Sequence, residues 1–150
     1  MTVVVLAADG SPGSEAAAAR LASRPMFAPP LVVHVVHVSP VLGAAGRQVM
    51  PGADLALENK AAAARAFDKA NAVLAPVAGE IRRHWVSGDP AREIVALAAQ
   101  LDADAIVVGA RRRGALVNAI LGSVAAAVLA KSHVPVVVVN REPGGPGGTP

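Results

Sequence analysis

The sequence predicts an α/β domain in three layers: a five-stranded parallel sheet with helices on both faces. Short runs rich in β-branched residues alternate with alanine-rich segments along the chain. Four of those runs are almost continuously apolar, as strands covered on both faces are. A chain of 150 residues, 53% hydrophobic and 17% charged, can bury one core and has little room for a second.

The first strand is expected over Val3 to Ala8 and the second over Leu31 to Val38. Ile81 to Val86 is a more polar third run, which suits a sheet edge. Ala105 to Val108 and Val134 to Val139 complete the set. Between them, Ser14 is the expected cap of a helix through Glu15 to Leu21, closed by Ser23-Arg24-Pro25. A long helix is expected from about Asp54 to Pro76. Asp89-Pro90 marks a third start, with Asp as N-cap and Pro at the first helical position. A fourth opens near Gly122-Ser123 and runs to about Lys131. The stretch from Leu42 to Ala53 carries Gly43, Gly46, Pro51 and Gly52 and reads as a mobile loop. The domain is expected over residues 1–142, with the Pro/Gly-rich tail from Pro143 to Pro150 disordered.

Open parallel sheets bind ligands beyond the carboxyl ends of their strands, where the chain order reverses. Three strand ends carry unusual residues: Asp9-Gly10-Ser11 after the first, His34 to His37 in the second, and Gly109 to Gly114 after the fourth. Gly122-Ser123 is the strongest single feature. The glycine lets a ligand approach the backbone, the serine adds a hydroxyl, and a helix start offers unpaired N–H groups to an anion. Ser123 as a cap for its own helix is the alternative, and the local sequence leaves both open.

The segment Gly109-Ala110-Arg111-Arg112-Arg113-Gly114-Ala115-Leu116-Val117-Asn118-Ala119-Ile120-Leu121-Gly122-Ser123 resembles the signature loop of universal stress proteins. That signature is a glycine, two residues, a second glycine, nine residues, then Gly-Ser or Gly-Thr. Asp9-Gly10-Ser11, Ser87-Gly88-Asp89-Pro90, Ala103 to Val108 and Val134 to Val139 resemble other parts of the family in the same order. The resemblance implies strand order 3-2-1-4-5, a sheet of the adenine-nucleotide α-hydrolase-like kind, and a switch point between strands one and four. It implies ATP as ligand, with Mg2+ as an accompanying ion. Ala7, Asp9 and Val35 would line base and ribose above Val108. Gly109, Gly122, Ser123 and the backbone N–H groups of Val124 and Ala125 would face the phosphates. The chain departs from the signature where Arg112 replaces the second glycine. A guanidinium there either grips phosphate or fills the pocket. Arg111 beside it is a candidate phosphate contact, and a solvated loop is the alternative reading of the three-arginine run.

Zero cysteines exclude disulfides, thiolate metal sites and cysteine nucleophiles and fit a cytoplasmic protein. The first residues lack the basic region of a signal peptide. The apolar stretch from Ala115 to Ala130 is shorter than the ~20 residues of a spanning helix, so no membrane association is expected. A net charge of +3 favours anionic partners, but Phe27, Phe67 and Trp85 are the only aromatic rings, which argues against nucleic acid. His34 and His37 stand three apart on a strand, point to opposite faces and cannot share a metal; each reads as a partly buried, hydrogen-bonded histidine. Asp9 has no neighbouring acid, and neither a Gly-x-x-x-x-Gly-Lys-Ser/Thr loop nor a Gly-x-Ser-x-Gly elbow occurs.

Three functional readings follow. The first is a stress-response regulatory module that binds an adenine nucleotide without dedicated catalytic machinery. The second is a nucleotide-free dimeric interaction protein whose site Arg112 has closed. The third is a slow ATP hydrolase. In each, the apolar run Val136 to Val139 at a sheet edge points to a homodimer through the last strand, and the protein partner is unspecified.

Overall fold

The computed structural model describes residues 1–23, 25–41, 52–110 and 121–141. Among them the strands are β1 (Thr2–Ala7), β2 (Leu31–Ser39), β3 (Glu80–Ser87), β4 (Ala105–Gly109) and β5 (Val136–Val139). The helices are α1 (Pro12–Ser23), α2 (Gly52–Leu74), α3 (Pro90–Gln100) and α4 (Ser123–Lys131). Every neighbouring strand pair is parallel, in the order β3-β2-β1-β4-β5. The expected class and strand order are those observed.

Alternation along the central strands divides the core in two. Val4, Leu6, Val33, Val35 and Val107 pack against Ala17, Leu21, Phe67 and Leu74 of α1 and α2. Val5, Val36, Ile106 and Val108 pack against Ile94, Ala98, Ala125 and Val128 of α3 and α4. Each fully buried valine or leucine is worth roughly 1.5–3 kcal/mol relative to exposure. This explains why β1, β2 and β4 read as unbroken apolar runs: both faces of the sheet are core. Strand β3, at the edge, alternates exposed and half-buried residues. The ion pair between Arg82 and Glu80 (2.6 Å) lies on this edge, and the Arg83 guanidinium sits 5.7 Å from the Phe67 ring centre. Such charges discourage pairing with another strand.

Two helices begin earlier than expected. Helix α1 starts at Pro12, and its cap is Ser11, whose hydroxyl accepts from the Ser14 N–H at 3.2 Å and whose carbonyl accepts from Glu15. Proline at the first helical position has no N–H to satisfy, so it suits the start better than Ser14 does. Helix α2 already includes Gly52, while Leu42 to Pro51 of the expected loop lie outside the described residues. The tail from Pro143 lies outside them as well. Asp89 caps α3 as expected, its carboxylate accepting from Arg92 N–H at 2.9 Å.

The histidines take up opposite faces. His37 is buried beside Phe67, and its Nδ1–H donates to the Ala8 carbonyl at 2.8 Å. His34 is buried on the α3 side, with its Nδ1 2.8 Å from Nε2 of half-buried His84. Among the described residues no helix is long and apolar enough to cross a membrane.

Candidate functional site

Strand β1 turns at its carboxyl end through Asp9-Gly10-Ser11, with Gly10 at φ +79°. The Asp9 carboxylate accepts from Ser11 N–H at 2.9 Å, and Asp9 N–H donates to Ser14 Oγ at 3.2 Å. The turn therefore hands the chain directly to α1, whose first residues lie over the end of β4. A Cβ on Gly13 would lie 2.9 Å from the Ala110 carbonyl oxygen. A Cβ on Gly109 would fall inside the van der Waals envelope of the Gly13 carbonyl. Only hydrogen at both positions lets the amino end of α1 sit there. The glycine that ends β4 is thus required by packing before any ligand is considered.

Across the switch point between β1 and β4 lie two adjoining cavities. The one on the α3 side, about 340 Å³, is walled mainly by apolar groups, among them Ala7, Val36, Val38, Ile94 and Val108. The other, about 350 Å³, is more polar and is bordered by Pro12, Gly13, Gly122, Ser123 and Arg141. Asp9, Ser11, Gly109, Val124 and Ala125 border both, so they mark the boundary between a greasy half and a polar half.

The start of α4 decides how Ser123 is used. Gly122 is the N-cap, in extended conformation, and no side chain caps the helix. Ser123 is the first helical residue, so it does not fill the capping role that the local sequence left open. The first N–H bonded within the helix is that of Ala126, to the Gly122 carbonyl at 2.9 Å. The N–H groups of Ser123, Val124 and Ala125 have no intrahelical acceptor, and these three residues border the polar cavity. Free donors at the positive end of a helix attract an anion.

Of the residues proposed from sequence, Ala7, Asp9, Val108, Gly109, Gly122, Ser123, Val124 and Ala125 border one or both cavities. Val35 does not. Its side chain packs into the core on the α1 and α2 side, and its neighbours Val36 and Val38 supply the wall instead. A strand turns alternate side chains to opposite faces, so an offset of one residue selects the wrong side of the sheet. Arg111 and Arg112 lie outside the described residues. Ser11, Pro12, Gly13 and Arg141 were not selected from sequence. The Asp9-Gly10-Ser11 turn pointed to the first of these, but nothing local marked Arg141. Among the described residues no group of three histidines or carboxylates is placed to hold a metal ion.

The model of the universal stress protein family matches residues 1–140. The chain belongs to that family. It is 32% identical to universal stress protein MJ0531 of Methanocaldococcus jannaschii over 142 residues, covering 92% of this chain and 81% of that protein. A universal stress protein solved in complex with cAMP superposes with a TM-score of 0.65 at 27% identity, over 94% of this chain and 98% of the other. The universal stress protein of Archaeoglobus fulgidus in complex with dAMP gives 0.66 at 27% identity, over 93% and 97%. Within the universal stress protein fold, the two cavities lie where doubly wound sheets hold ligands, beyond the strand ends at the switch point.

Proposed function

We propose that this universal stress protein is an adenine-nucleotide-binding regulatory module of the stress response. The observation that carries the proposal is the junction of the two cavities. An apolar slot suited to a base adjoins a polar one bordered by three residues of α4 whose N–H groups have no intrahelical acceptor. The relatives bound to cAMP and dAMP support an adenine nucleotide as the class of ligand. Asp9, at the boundary, is placed to accept from ribose hydroxyls, with the base against Ala7, Val36 and Val108 and the phosphates at Gly122 to Ala125. ATP, accompanied by Mg2+, is the proposed ligand. The reading includes a cytoplasmic location, a homodimer through β5, a further protein partner and no dedicated catalytic group.

Calorimetric titration with ATP and ADP tests it. The wild type is expected to bind, more weakly as salt rises, and Gly122→Asp is expected to abolish binding. Gly122 has φ −61° and ψ 155°, which aspartate adopts without strain. Aspartate is also a good N-cap, so the variant keeps its helix while placing a negative charge where the phosphate belongs. No heat and no copurifying nucleotide with the wild type would overturn the proposal. They would leave the nucleotide-free interaction protein, the reading favoured by Arg112 in place of the motif glycine.

A further inference from the structure

Arg141 lies just past β5 and borders the polar cavity but not the apolar one. Val137 and Val139 turn their side chains towards the α1 side of the core. Arg141 continues that alternation beyond the end of the strand, which brings it to the cavity that Pro12 and Gly13 also border. It is exposed, and among the described residues it makes no ion pair.

We propose that Arg141 is the residue by which the site reads the length of a nucleotide's phosphate chain. The inference rests on the nucleotide reading above and goes beyond it by naming a preference for polyphosphates. Its basis is the order of chemistry across the junction. With a base in the apolar slot, the first phosphate falls at the shared boundary, beside Val124 and Ala125. The Asp9 carboxylate at the same boundary repels the chain on that side. The rest of the polar cavity is bordered by Pro12, Gly13, Ala110, Gly122, Ser123 and Arg141. The polar cavity as a whole is about 350 Å³. Two further phosphoryl groups fit in that space. A monophosphate does not reach the part bordered by Arg141. A guanidinium fork matches phosphate oxygens in geometry as well as charge. In the first turn of α1, Ser14 N–H is bonded to Ser11 Oγ and Glu15 N–H to the Ser11 carbonyl, which leaves the Gly13 N–H as a second donor.

The test compares AMP, ADP and ATP by calorimetry on wild type, Arg141→Ala and Arg141→Lys, with EDTA present so that no metal ion stands in for the side chain. Wild type is expected to bind ATP more tightly than AMP. Arg141→Ala is expected to weaken ATP by about tenfold, the scale of one charge-assisted hydrogen bond, and to change AMP by less than about twofold. The lysine variant should fall between, since it keeps the charge and loses the fork. As a second probe, inorganic tripolyphosphate should displace bound ATP from wild type at lower concentration than from Arg141→Ala. Equal losses for AMP and ATP, or no loss for either, would overturn the role of Arg141 while leaving nucleotide binding in place. A wild type that binds none of the three would overturn both. Because Arg141 is exposed, the melting temperature of both variants should match that of wild type, and a drop would mark a fold defect and count against the proposal.

Discussion

Replacing Gly109 with alanine tests the packing on which the candidate site is built. The new methyl group would meet the carbonyl group and Cα of Gly13, backbone that no change of rotamer can move aside. Ordinary carbon contacts lie near 3.5 Å, so the first turn of α1 would have to withdraw from β4 by about 1 Å. Overpacking a well-filled site costs about 1–3 kcal/mol. With backbone on the far side of the contact, about 2–3 kcal/mol is expected. In a chain of this size, that lowers the melting temperature by about 4–12 °C. Nucleotide affinity should fall with it, because Asp9, Ser11 and Gly13 move with the amino end of α1. Gly13→Ala should cost less: its Cβ meets a single carbonyl oxygen at 2.9 Å, and alanine recovers up to about 1 kcal/mol of helix propensity. Both substitutions push the first turn of α1 away from the end of β4, so one withdrawal answers both and their costs should combine less than additively. Urea or thermal unfolding of the two single variants and the double variant measures all of this. A Gly109→Ala protein melting within a degree of wild type, with unchanged nucleotide affinity, would refute the account of why that glycine is there.

Two further outcomes are expected. The pKa of His34 is lowered by burial first and then by the charges of His84 and Arg82, with Glu80 opposing, and that of His84 by burial and then Arg82. In the pH interval below the ordinary histidine value near 6.5, the unfolded chain therefore binds more protons than the native one. Urea stability should be full above that pH and fall as pH drops through it; a slope that His84→Gln leaves unchanged would show that the pair is not its source. For the proposed dimer, Ile106 N–H donates to the Pro135 carbonyl and Ala110 N–H to that of Val139, so odd-numbered residues of β5 spend their backbone on β4. Val136 and Val138 point their N–H groups to the free edge, and proline is tolerated there. Val138→Pro should therefore convert a dimer to a folded monomer in light scattering, and a wild-type monomer or a dimer indifferent to the change would remove this seam. A charge at Val137 would be a poorer probe, since that side chain is half-buried against the α1-side core.

The fold was legible because its signals are local and repeated. Each central strand announces itself by a run of apolar residues, and Asp89-Pro90 specifies a helix start through two independent preferences that agree. The start of α1 was misplaced because Ser11 and Ser14 are both acceptable caps. The choice fell to Pro12, whose fixed φ and missing N–H suit the first position of a helix that begins right after the Asp9 turn. The cavity-lining residues that the signature carries were legible for the same reason as the strands: Gly109, Gly122 and Ser123 sit at fixed spacings in one continuous segment.

What the sequence hid about the site is what depends on which face of an element a residue occupies and on what the chain brings near from a distance. Val35 and Val36 are the same residue type in an unbroken apolar run, with core on both sides, so no change of composition shows which one faces the crevice. The strand's period of two makes the choice absolute, since a shift of one residue exchanges the two faces. In a half-exposed strand such as β3, polar residues would have marked the phase; in β2, burial of both faces erased it. Arg141 was hidden for the opposite reason. It looks like a charge guarding the end of an edge strand, and it reaches the cavity only because β5 lies beside β4 in the sheet, aligned so that Val139 pairs with Gly109. That register sets the carboxyl end of the last strand over the same glycine that α1 packs against. A residue near the end of the described chain thereby joins a candidate site whose other parts lie at the ends of β1, β2 and β4 and at the start of α4.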